Sequence, residues 1–127
     1  MAMKVGYVKT ESAAILWDLS AMERDIEARR FLAEVRRMPV VNLVGTYRFG
    51  EELVEDADIS VFPIVVSFAP EKYCVLSGGE QIEKARALGF WDIDCYFIKP
   101  GQHKKYIIDY NEETYLRAVE EYWADEV

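Results

Sequence analysis

The residues best placed to do chemistry are Ser77, Gly78, Gly79, Glu80 and Gln81. They follow the apolar run Tyr73-Cys-Val-Leu and open an alanine-rich segment that ends at Gly89. A glycine turn that leads from a strand into a helix favours anions, because the first amides lack helical acceptors and the helix dipole is positive there. Two readings of the turn are open. In one, backbone amides and the Gln81 side chain hold a nucleotide phosphate or another small anion. In the other, Ser77-Gly-Gly-Glu80 is a capping box, with the serine oxygen accepting from the amide of residue 80 and Glu80 reaching back, so that the helix supplies its own carboxylate. A cap of this kind is worth about 1 kcal/mol. The stretch lacks the Gly-x-Gly-x-x-Gly spacing of a dinucleotide site.

Other reactive side chains are sparse. Cys74 and Cys95 lie in apolar, strand-like runs and read as small core residues. His103 is the only histidine and falls in Pro100-Gly-Gln-His-Lys-Lys, where a surface turn is expected. No Cys or His stands near it in sequence to complete a zinc set, so no metal site is expected, and no motif specifies a cofactor.

The elements that must position these residues come from a chain of 127 residues, 51% hydrophobic and 30% charged, which fits a single domain over residues 1–127. No apolar run is long enough to span a bilayer, and the start lacks the apolar core of a signal peptide. A cytoplasmic location with no membrane association is the expectation. The net charge of -8 opposes attraction to a phosphate backbone and makes nucleic acid an unfavoured partner. Asp109, Glu112, Glu113, Glu120, Glu121, Asp125 and Glu126 face only Arg117 near the C-terminus. This face is either solvated or meets a basic protein partner.

Hydrophobic patterning predicts one or two short strands over residues 3–10 and 13–17, with a break near Glu11-Ser12, and a helix from a capping box at Ser20-Ala-Met-Glu23 to about Arg37, stopped by Pro39. Ile26, Phe31, Leu32, Val35 and Met38 would form its buried face, with Glu27 and Glu34 spaced to pair Arg30 and Arg37. Residues 38–60 give a mixed signal. Further on, Val61 to Phe68 reads as a strand with Pro63 near its start, and Tyr73 to Leu76 as its hairpin partner. Ile82, Ala85 and Leu88 mark a helix that Gly89 ends, Asp92 to Lys99 a strand, Lys105 to Tyr110 another, and Asn111 the cap of a last helix. The sum is an α+β domain with a small mixed sheet and about three helices.

Residues 61 to 99 resemble the central unit of the ParB/sulfiredoxin-like superfamily. Phe62-Pro-Ile-Val-Val is similar to its Pro-Ile-Val-Val strand, and Leu76-Ser-Gly-Gly-Glu-Gln with the later Ala-Leu-Gly at 87–89 is similar to its Asp-Gly-x-x-Arg loop and alanine-rich helix. The resemblance implies a nucleotide-phosphate site at the N-terminus of this helix. The departures lie at the charged positions. Ser77 stands for the family's Asp, Gln81 for its Arg, and Gly79 or Glu80 for the Cys or His of enzymatic members. The resemblance therefore implies a non-catalytic binding or regulatory module with a degenerate phosphate loop and no catalytic residue. A small nucleotide-binding enzyme of kinase or nuclease type is the alternative, with Glu34 or Glu80 as its carboxylate. An acidic inhibitor or interaction protein is the third reading. The helix-turn-helix that follows the domain in DNA-partitioning members has no counterpart after Tyr110.

Overall fold

A computed structural model of the chain describes residues 4–43, 62–70 and 72–122. In chain order the elements are β1 (Val5–Lys9), β2 (Ala14–Asp18), α1 (Leu19–Glu27), β3 (Glu34–Pro39), α2 (Val40–Leu43), β4 (Ile64–Ala69), β5 (Lys72–Ser77), α3 (Gly79–Ala87), β6 (Asp92–Ile98), α4 (Pro100–His103), a 3-10 turn (Lys104–Tyr106) and α5 (Glu112–Tyr122). The class is α+β, as the sequence predicts, with the strands in two sheets. The contacts of the chain gather into two compact units. One takes both ends, Met1–Leu32 and Lys99–Val127, and the other is Ala33–Ile98. No helix among the described residues is long and apolar enough to cross a membrane.

The unit made from both ends is built on the antiparallel β1–β2 hairpin, in which Val8 pairs with Ile15 and Gly6 with Trp17. Alternation puts Val8, Ile15 and Trp17 inward, and α5 packs on the two strands with Tyr115 and Ala118 buried. The start of α1 differs from the capping box expected at Ser20. Asp18 is the cap, its carboxylate accepting from the Ala21 amide at 3.0 Å, while Ser20 Oγ accepts from the Lys4 amide at 2.7 Å and Glu23 pairs with the Lys4 ammonium at 2.8 Å. The cap of α5 is the expected one, with Asn111 Oδ1 accepting from the Thr114 amide at 3.0 Å.

The helix expected to reach Arg37 stops at Glu27. Ala28 closes it, Arg29 turns left-handed at φ 55°, and the amides of Arg29 and Arg30 return to the carbonyls of Ile26 and Asp25. This is a Schellman ending made without glycine. Arg29, Arg30, Arg36 and Arg37 therefore form no helical stripe. Arg30 pairs with Asp25, Arg36 with Glu34 and Arg37 with Asp94. The strand expected at Lys105–Tyr110 is reduced to one bridge, Ile107 to Trp17, because Pro100 starts a short helix that runs into the 3-10 turn.

The contiguous unit carries a four-stranded mixed sheet in the order β3-β6-β4-β5, with β4 and β6 parallel and the other pairs antiparallel. The hairpin β4–β5 and the strand β6 fall where the sequence predicts them. Val65, Val75, Ile93, Cys95 and Phe97 form a buried core with Ile82 and Ala85 of α3 and Val40 and Leu43 of α2. α3 ends in a second Schellman turn, this time with Gly89 at φ 81° as its left-handed residue and the Phe90 amide returning to the Ala85 carbonyl at 2.9 Å. The acidic stretch at residues 50–58, Val61, Trp123, Asp125 and Glu126 lie outside the described residues.

Candidate functional site

The turn at Ser77–Gln81 joins β5 to α3, and its backbone decides between the two readings of its side chains. Ser77 is still extended, paired across the sheet with Ile64. The helix begins one residue later, on Gly78, at φ 95° and ψ 20°, and the amides of Gln81 and Ile82 both donate to the Gly78 carbonyl, at 3.1 and 3.2 Å. The capping position therefore falls on a residue without a side chain, and no side chain caps the helix. The expected Ser77–Glu80 box is displaced by this one-residue offset. Gln81, not Glu80, stands at the third helical position where a box partner belongs.

Gly78 has its own structural reason. A Cβ built there would lie 2.6 Å from the Cα and 2.8 Å from the Cβ of Pro63. The left-handed turn and the contact with Pro63 each require glycine. Gly79 is buried in the first turn, Glu80 is exposed and Gln81 half-buried. The helix itself offers no acceptor to the amides of residues 79 and 80. The loop thus presents the positive end of a helix dipole, with a solvated carboxylate beside it.

The candidate partners of the loop lie elsewhere. Glu34 sits on an edge strand, not on a helix, opposite Phe97 of β6 and bonded to Arg36. Three strand spacings separate β3 from β5, about 14 Å at 4.7–4.9 Å each. Glu34 therefore cannot share a reacting atom with Ser77 or Glu80. Cys74 and Cys95 are buried, as expected. Burial pushes the Cys74 thiol up to about 12, and burial with the charge of Asp94 does the same to Cys95. At neutral pH both are thiols, and a thiol is a poor nucleophile.

In the unit made from both ends, the sequence reading missed two side-chain sites. His103, expected at the surface, is fully buried, and its Nδ1 accepts from Trp17 Nε1 at 3.2 Å with the rings edge to face. Tyr106 donates its hydroxyl to Asp25 Oδ2 at 2.5 Å, while Arg30 donates to Asp25 Oδ1 at 3.0 Å. The Tyr106 bond, aided by Arg30, holds the Asp25 carboxyl below its ordinary range, and burial with the Asp25 charge raises the Tyr106 phenol. The readable signal for His103 was Pro100 three residues earlier, a residue suited to the first turn of a helix.

No protein-family model matches the sequence, and comparison with curated proteins and with solved structures returns no match.

Proposed function

We propose that the chain is a non-catalytic binding or regulatory module in which the β5–α3 turn is a degenerate ParB/sulfiredoxin-like phosphate loop. Its ligand is a nucleotide or small anion, held by the first-turn amides of α3 and the Gln81 side chain. The observation that carries this reading is the left-handed Gly78 at the head of α3 with no side chain capping the helix. The strand, glycine turn, helix and closing strand around it follow the order the resemblance requires. A catalytic role has no local support, since Glu34 is about 14 Å from the loop by strand spacing and both nearby thiols are held protonated.

Thermal unfolding with a panel of nucleotides and inorganic phosphate, with and without Mg²⁺, tests the reading. A ligand at about 100 times its dissociation constant stabilises the folded state by about 2.7 kcal/mol, a shift of a few degrees. Glu80→Gln removes the carboxylate beside the amides and should raise anion affinity. A melting temperature unmoved by every member of the panel, in both proteins, removes the proposal. Turnover of a bound nucleotide would favour the enzyme reading in its place.

A further inference from the structure

Two Schellman turns among the described residues end their helices with different residues. α3 uses Gly89 for the left-handed position, as this geometry favours, while α1 places Arg29 there at φ 55°. Asp109, the other non-glycine residue at positive φ among the described residues, belongs to a type that is enriched in the region, and arginine does not. A long cationic side chain thus occupies a strained backbone position where glycine would relieve the strain. Such strain gathers at functional positions.

What surrounds Arg29 gives that side chain a setting. Arg30 follows it, Leu32 is 87% exposed, and Gln102 joins this turn to the next segment by donating from Nε2 to the Leu32 carbonyl at 3.2 Å. Gln102 Oε1 also accepts from the Lys99 backbone amide at 3.0 Å, so one side chain ties the backbones of Leu32 and Lys99 together. The Lys105 ammonium lies 5.3 Å from the Phe31 ring centre and 5.2 Å from that of Tyr106. Arg29, Arg30, Lys99 and Lys105 are all exposed. Of the two carboxylates nearest in sequence, Glu27 is exposed, and Asp25 is engaged by Arg30 and Tyr106.

We infer that this surface docks an acidic segment of a partner protein that carries an apolar side chain, the carboxylates meeting Arg29, Lys99 and Lys105 and the apolar group covering Leu32. The match is one of charge and shape. At physiological salt, charges beyond about 8 Å are screened, so the local cations and not the chain's net charge of -8 set the field that a short segment meets. A phosphate backbone carries charge but no aliphatic group to cover the exposed Leu32. An aliphatic anchor such as Leu32 also suits a peptide side chain better than a base.

Fluorescence anisotropy on the full chain tests this with three labelled probes: an acidic peptide with a central leucine pair, the same peptide with Gln and Asn for every Glu and Asp, and oligothymidylate. The acidic peptide should bind at low salt, weaken as salt rises, and exceed both other probes. Arg29→Gly should raise the melting temperature by about 2–4 °C while weakening the acidic peptide about two- to fivefold. Lys99→Glu, at an exposed position, should weaken it by about tenfold. No binding of the acidic peptide, equal binding of its amide counterpart, tighter binding of oligothymidylate, or affinity unchanged in Arg29→Gly would each overturn the inference.

Discussion

Gly78 and Pro63 lie so close that a methyl group on the glycine would meet the proline Cα at 2.6 Å. Proline at the entry to β4 and glycine at the exit from β5 therefore form one structural pair across a hairpin, and the loop's geometry depends on both. The glycine that first suggests a ligand is thus required by packing whether or not a ligand binds. Gly78→Ala should cost about 2–4 kcal/mol, from the positive φ and the overlap together. Gly89 has the same backbone requirement with nothing within 4 Å, so Gly89→Ala should cost only about 1–2 kcal/mol. Urea unfolding of the two variants checks the ranking, and equal losses would mean that contact with Pro63 contributes nothing.

Trp17 and His103 give a second measurable pair. His103→Leu removes the Nδ1 acceptor that Trp17 Nε1 uses in a fully buried place, and should cost about 1–3 kcal/mol. His103→Gln keeps an acceptor and should cost less. Denaturant midpoints of the two variants decide it, and a leucine variant as stable as the native protein would contradict the buried hydrogen bond.

The thiols offer a test of burial. Cys74 and Cys95 are raised to about 12, so a disulfide reagent at neutral pH should leave both unmodified in the folded protein and titrate both in guanidinium. Rapid labelling of either residue without denaturant would show that its strand opens.

Acid stability follows from two carboxylates held below their ordinary range. Asp25 is lowered chiefly by the Tyr106 hydroxyl, and Glu121 chiefly by the Ser12 hydroxyl and then that of Thr10. A depressed folded-state value stabilises the fold above the unfolded value, about 3.9 for Asp and 4.3 for Glu, and that contribution is lost as pH falls through the folded value. Stability should therefore decline below about pH 4. Asp25→Asn and Glu121→Gln should flatten that acid limb, which unfolding midpoints across the pH range would record. An unchanged acid limb in both variants would exclude these groups as its source.

Much of this fold was legible where period and punctuation agree. β4 and β5 are continuous apolar runs, α3 is closed by Gly89, and Asn111 caps α5. At the first helix the failure is an element boundary without its usual residue. α1 ends at Glu27 with Arg29 in place of glycine, and the charged edge strand Glu34-Val-Arg-Arg-Met-Pro continues a helical period by coincidence. Charges on an edge strand protect it from pairing with other chains, and the same charges hide it from a reading based on alternation. At the candidate site, the residues were legible and the register was not. Whether Ser77 or Gly78 caps α3 depends on one more ladder pair, Ile64 with Ser77, which is a tertiary fact.

The division of the chain into a unit made from both ends and a unit made from its middle has a consequence for synthesis. Residues 33–98 are complete as soon as β6 leaves the ribosome, so the four-stranded sheet can form while the rest is still being translated. The β1–β2 hairpin must wait for α4 before Trp17 meets His103, and for α5 before Glu121 meets Thr10 and Ser12. Until then the early hairpin exposes Val8, Ile15 and Trp17 to solvent or to a chaperone, and this unit buries them only when α5 packs on the two strands.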